Sequence, residues 1–495
     1  MAKPNEFATV VLDVEVGTRP HLERPDPETP FRILILGDFS GRMNRATENP
    51  PRFQPVLIDR DNFDEVLAGM GVGLTLGGKR SGRIALSFRE LEDFHPDRIY
   101  DRHDVFQPLR EARRKLNDPG TFAAAAAEVA AWSGQTAPVQ SGGPQQAPEA
   151  SPEPLTLGQL TGGSLLDDIV GASESGMPMA AQTRDPLQSF IKPSLASQLQ
   201  ARESPELPKL VAQVDEAAGK LMRAILHHED FQALEAAWRA VYFLVRGLET
   251  GTQLKVYVLD ISKAELAGEL SGNAIERSAL YRRLVDGAED EGWASVAAQF
   301  SFDQSGKDAA TLSRIGQIMM AAGAPFLAEA DLGGASEGAD ADGPWKRLRR
   351  SPEASWLGLA LPRFLLRLPY GEETDQVESF RFEEIPGTPV HRDYLWANPS
   401  IACAYLLGEA FSEQGWHLRP GSCSEITGLP LHVYREGDET CLRPCVELPL
   451  KPDDVEWALQ EGLMPLVWLK DQDAVRLARF QSIAEPLARL AGRWT

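Results

Sequence analysis

Apolar and polar residues alternate along residues 8–16 (ATVVLDVEV). Val10, Leu12, Val14 and Val16 fall on one face and Thr9, Asp13 and Glu15 on the other, a pattern that predicts a half-buried strand. Residues 17–30 (GTRPHLERPDPETP) carry four prolines and no apolar period, so they read as an extended, semi-rigid leash. At about 3.1 Å per residue it reaches roughly 40 Å. A strand on such a leash can add to a sheet edge in another subunit or fold back on its own domain, and the pattern leaves both open.

Residues 31–36 (FRILIL), apolar except for Arg32, read as a continuous apolar strand ending in Gly37-Asp38-Phe39-Ser40-Gly41-Arg42. A short strand is expected at 53–58, with Asp61 as N-cap of a helix over 62–69. Residues 83–89 (RIALSFR) alternate as a strand, and 108–117 is a basic amphipathic helix with proline in its first turn. Residues 122–132 (FAAAAAEVAAW) are strong helix formers. Residues 31–132 therefore read as a small α/β module.

The pattern then stops. Residues 133–163 are rich in Gly, Pro, Ser and Gln and cannot bury enough apolar surface to offset backbone ordering, which marks a flexible linker. Ser164-Leu165-Leu166-Asp167 resembles a capping box, opening a short helix whose Leu165, Leu166, Ile169 and Val170 share a face. Such an isolated turn cannot hold itself together, so it is expected to find a partner. Beyond it the helical period returns over 209–226 and, after His227-His228, from Phe231 to Val245. Strands at 254–261 and 357–361 and a helix at 311–322 continue an α/β alternation as far as Trp468. The predicted organisation is an N-terminal strand and leash (1–30), a first α/β module (31–132), a linker with its short helix (133–185) and a second α/β module (186–495).

Composition narrows the function. A net charge of −22 argues against nucleic-acid binding, and the basic run at 346–350 (KRLRR) reads as a solvated helix end. The N-terminus has no signal-peptide pattern, and no apolar run approaches the roughly 20 residues that span a bilayer, so a cytoplasmic protein without membrane insertion is expected. The four cysteines (403, 423, 441, 445) are too irregular for a disulfide framework or a zinc site. Asp38 after a strand and glycine suggests a metallophosphoesterase ligand, but the histidine motifs such a centre needs are missing. Glu383-Glu384 are adjacent and point apart, and there is no phosphate-cradling loop or nucleophile elbow. No catalytic, cofactor or metal site is expected, and the protein reads as a non-enzyme.

Residues 8–16, 30–42 (PFRILILGDFSGR), 58–67 (IDRDNFDEVL) and 93–96 (DFHP) resemble the small sheath subunit of the bacterial type VI secretion system. Residues 226–238 (LHHEDFQALEAAW), 321–326 (AAGAPF), 357–371 (LGLALPRFLLRLPYG), 382–384, 394–399 (YLWANP), 462–466 and Gln481-Ser482 resemble its large sheath subunit. Gly323 stands where that family usually has His, and 298–302 (AQFSF) replaces the usual Gly-Asp-Tyr-Glu-Phe. The resemblance implies two contractile-sheath α/β modules fused in one chain. It further implies a helical homopolymer around an inner tube, which contracts to drive a spike outwards and needs no cofactor. By the same resemblance, Val10, Leu12, Val14 and Val16 belong to a strand exchanged between subunits, and Leu165, Leu166, Ile169 and Val170 to a helix gripped by a recycling AAA+ unfoldase. A baseplate and other sheath subunits are further implied partners. The alternative is a sheath homologue that does not polymerise but docks to a baseplate or effector.

Overall fold

The computed structural model describes residues 24–45, 51, 53–77, 83–132, 206–272, 274–287, 291–332 and 343–494. The predicted strand with Val10, Leu12, Val14 and Val16, the predicted linker, and the helix with Leu165, Leu166, Ile169 and Val170 lie outside the described residues.

The fold is mixed α/β. Its strands are β1 (Phe31–Gly37), β2 (Val56–Ile58), β3 (Gly73–Leu76), β4 (Ile84–Ser87), β5 (Leu254–Asp260), β6 (Ser295–Phe302), β7 (Phe326–Ala330) and β8 (Leu357–Leu361). Then follow β9 (Phe364–Leu365), β10 (Trp396–Ala397), β11 (Glu425–Ile426), β12 (His432–Glu436), β13 (Glu439–Arg443), β14 (Met464–Trp468) and β15 (Val475–Leu477). Nine of them make one sheet in the order β11-β15-β14-β8-β7-β6-β1-β5-β2. The two stretches of sequence on either side of 133–205 thus share a sheet. β1 runs parallel between β5 and β6, which follow one another in the C-terminal segment, and β2 lies antiparallel outside β5.

That position explains why β1 is apolar at every position but Arg32, whose guanidinium lies over the Trp293 ring: a parallel strand covered on both faces has little side for water. Phe31, Ile33 and Ile35 enter the core formed with helices Leu207–Leu226, Glu229–Gly247 and Pro399–Gln414. Leu34 and Leu36 enter the opposite core, with Leu312 and Ile315 of helix Gly306–Ala322. Phe31 also stacks on Phe411 at 4.6 Å between ring centres. These five side chains are at most 1% exposed, and their burial stabilises the assembled sheet by roughly 10 kcal/mol.

Local chemistry sets the helix ends. Helix Leu207–Leu226 stops at His227, and the ring of His228 accepts the Asp230 N–H (3.3 Å) to cap Glu229–Gly247. Helix Gly306–Ala322 begins five residues before the predicted start because Ser305 caps it, accepting from the Asp308 N–H. Gly323 ends it at φ +70°, the left-handed region where glycine, and less often His, is tolerated.

Three expectations are corrected. The helix near 62–69 is Phe63–Gly69 with Asn62 at its N-cap; Asp61 has no capping role, because the Asp59 carboxylate takes the N–H groups of Asp61 and Asn62 (both 3.0 Å). The strand at 53–58 shrinks to β2, since Phe53 has φ +47° and Pro55 cannot donate to a ladder. The basic run is not wholly solvated: Arg349 is 6% exposed, donating to the Ile483 carbonyl (3.0 Å) and pairing with Glu461 (2.8 Å). No helix among the described residues is long and apolar enough to cross a membrane.

Candidate functional site: the junction of the two segments

β1 and β5 end side by side, with Gly37 opposite Asp260. This places the Asp260 carboxylate beneath the turn that follows β1. One oxygen accepts the N–H groups of Phe39 (2.9 Å) and Ser40 (3.0 Å), and the other accepts the Ser40 hydroxyl (2.7 Å). Asp38 turns back on its own chain, its two oxygens accepting from the N–H groups of Arg42 (2.6 Å) and Met43 (2.9 Å). The Asp38 carboxylate therefore serves the turn, and the geometry gives no support to its reading as a metal ligand. Gly41 sits at φ +75° with a would-be Cβ 2.3 Å from the Gly73 carbonyl, so no side chain fits there.

The rest of the Gly-Asp-Phe-Ser-Gly-Arg motif is also matched by the C-terminal segment. The Arg42 guanidinium grips Glu265, with Nε 3.0 Å from both carboxylate oxygens and Nη2 2.7 Å from one. Glu265 is held in place by closing the capping box of helix Lys263–Glu269, where it accepts from the Ser262 N–H and hydroxyl (both 2.9 Å). The Trp238 indole donates to the Phe39 carbonyl (2.8 Å), and Arg45 donates to the Ser40 carbonyl. Burial pushes the Asp260 carboxyl up, only partly offset by its bonds to Ser40. Burial also acts to raise Glu265, but the Arg42 and Ser262 hydrogen bonds outweigh it and hold that carboxyl low.

A second contact lies on helices Pro96–Arg102 and Gln107–Asn117. The Asp97 carboxylate accepts the N–H groups of Ser379 (2.8 Å) and Glu378 (3.1 Å), while Arg113 pairs with Asp215 at 3.2 Å and donates to the Ser379 carbonyl. Beneath this loop is a buried charge knot. Arg367 bridges Glu235 (2.8 Å) and Glu384 (2.7 Å), and Arg239 joins Glu235 (2.7 Å) to the Tyr370 hydroxyl (2.9 Å). Glu384 is 1% exposed; burial acts to raise its carboxyl, but Arg367 foremost, with His227, brings it down to about 2. Its neighbour Glu383 instead accepts the Glu372 N–H (3.0 Å), so the adjacent acids do point apart.

A cleft of about 320 Å³ opens at the C-terminal ends of β1 and β6, lined by Asp38, Asp230, Lys263, Gln299, Glu329 and Asn398 among others. The Asn398 amide donates to Glu329 (3.0 Å), whose carboxyl is pushed up to about 7, mainly by burial. Lys263 is engaged by Asp308 and the Ser301 carbonyl (both 2.7 Å), and Gln299 donates to the Ala237 carbonyl (3.1 Å). Among the described residues no group of three or more His, Cys, Asp or Glu side chains is placed to hold a metal ion.

Sequence reasoning identified the motif after β1 but not its receivers Asp260, Glu265 and Trp238, since nothing local marks them. Arg367, interrupting the apolar run 357–371, was the readable hint of the knot: a charge in a buried stretch needs a buried partner.

The comparisons with known proteins divide at the same boundary. Residues 208–334 and 337–484 match the family model described as VipB: EvpB/VC_A0108, tail sheath N-terminal domain. Residues 8–125 match the one described as Type VI secretion system, VipA, VC_A0107 or Hcp2. A relative, the type VI secretion system sheath protein TssC1 of Pseudomonas aeruginosa, is 30% identical over 68% of this chain and 74% of its own length. A cryo-EM structure of the anti-feeding prophage baseplate aligns with a TM-score of 0.28 and 13% identity over 50% of this chain and 51% of that one, a likeness too slight to bear on fold or function. With both matches in register with the two segments that the junction binds together, the chain belongs to the type VI secretion tail-sheath family and carries small-subunit-type and large-subunit-type parts in one polypeptide.

Proposed function

We propose that this chain is a structural subunit of a contractile sheath of a type VI-like secretion system, acting in the bacterial cytoplasm. It polymerises by passing the strand with Val10, Leu12, Val14 and Val16 to a neighbouring copy, and contracts around an inner tube attached to a baseplate. The observation that carries this reading is that one chain matches both sheath-subunit families and joins them through a single sheet. The mechanism is mechanical: a rigid α/β body shifts against its neighbours while extended tethers keep the copies connected. No cofactor enters. The helix with Leu165, Leu166, Ile169 and Val170 serves a AAA+ unfoldase that recycles contracted polymer.

Electron microscopy of the purified full chain tests the proposal, with tubes expected. Removal of residues 1–17 is expected to leave a folded chain that forms no stable tubes. Discrete particles under every condition would instead favour a non-polymerising homologue that docks to a baseplate or effector, and normal tubes from the truncated chain would reject strand exchange.

A further inference from the structure

β1 is not an edge strand. It is hydrogen-bonded to β5 along Phe31–Gly37 and to β6 along residues 33–36, and both of its faces lie in core. An edge strand can leave by breaking one ladder, whereas β1 can leave only when two ladders part, two cores open and the Asp260, Glu265 and Trp238 contacts are lost together. Departure on that scale amounts to unfolding the sheet, so a filled slot is closed for as long as the fold persists.

Which strand fills the slot is therefore decided while the chain folds. The 73 residues from 133 to 205 join the end of the N-terminal segment at Trp132 to the start of the C-terminal segment at Glu206. A covalent tether holds its module at an effective concentration on the order of 0.1–1 mM, against which a competitor at about 1 µM loses by roughly a hundredfold or more.

We propose that the slot between β5 and β6 is reserved for β1 of the same chain and is closed to the equivalent strand of any other polypeptide, whether a second copy or a free small-subunit-type protein. The consequence is a subunit of fixed one-to-one composition that takes in no separate small sheath subunit at this position. Exchange between copies is thereby left to segments outside the slot. This inference stands whether or not the chain polymerises.

The test uses full-length chains in isotopically heavy and light forms, both with a protease site placed within 133–205 and the light form alone tagged at its C-terminus. The two are unfolded together, refolded at about 1 µM, cleaved, and captured by the tag. Mass spectrometry then reads which N-terminal segments remain bound, counting heavy ones only in excess of captured heavy C-terminal segments, since an assembled neighbouring copy brings both. The expected result is light segments, with heavy ones below about one in a hundred. A heavy share near one half would overturn the proposal by showing trans filling, and so would loss of both N-terminal segments on cleavage, because the slot would then not hold β1. Folded heavy and light chains mixed for a day before cleavage are expected to show no exchange, and measurable exchange would overturn the closure.

Discussion

The carboxylate of Asp260 takes both the backbone N–H of Ser40 (3.0 Å) and its hydroxyl (2.7 Å), although 220 residues separate the two in sequence. One acid at the end of β5 thus orders the turn after β1, and Ser40 itself is 5% exposed. The contact belongs to neither segment alone.

Asp260→Ala is expected to destabilise the chain by about 2–4 kcal/mol, because it strands the donors of Phe39 and Ser40 away from water. Asp260→Asn, which keeps one acceptor oxygen, should lose less. Urea unfolding followed by tryptophan fluorescence checks both, and an alanine variant as stable as the parent would show that the contact contributes nothing.

Glu329 gives stability a pH dependence of readable sign. Its folded carboxyl sits near 7 instead of 4.5, so between those values the folded chain keeps a proton that the unfolded chain releases. This contribution is fully present below about pH 4.5 and is lost as pH rises through about 7, and its size is about 3 kcal/mol. Glu329→Gln should flatten that part of the profile and raise stability at pH 8, as measured by denaturant midpoints across pH 5–8. An unchanged profile would contradict the assignment.

The charge knot predicts an asymmetry. Arg367→Leu should cost about 3–5 kcal/mol by leaving Glu384 buried with its main cation gone. Changing Arg367 and Glu384 to Leu together should recover most of that loss, since the pair offers little net gain over apolar packing. Because the folded carboxyl of Glu384 is held near 2, its contribution is present above about pH 4.5 and fades as pH falls through about 2. Chemical denaturation of the single and double variants at pH 7 and pH 3 provides the check.

Replacing Leu166 and Ile169 by Asp is expected to abolish capture by a sheath-recycling AAA+ unfoldase while leaving assembly intact. A pull-down with the purified unfoldase measures it, and equal capture of the parent and the variant would remove the helix from the proposed function.

Patterning alone determined the elements with a clear apolar period, among them β1, β5, β8 and helices Leu207–Leu226 and Glu229–Gly247. A run such as 31–36 is apolar at every position but Arg32 because two layers cover it, and helices such as Leu207–Leu226 show their period wherever one face is buried. The motif after β1 was conspicuous in the sequence, but its geometry was not: the Gly73 carbonyl keeps Gly41 free of a side chain, and Asp38 turns back on its own backbone instead of offering a metal ligand. Tertiary structure alone decided that β1 stands between β5 and β6, that Asp260, Glu265 and Trp238 receive the turn, and that Arg367 meets Glu235. Strand order is set by which apolar faces and which buried charges satisfy one another across hundreds of residues. No local window of sequence contains both partners.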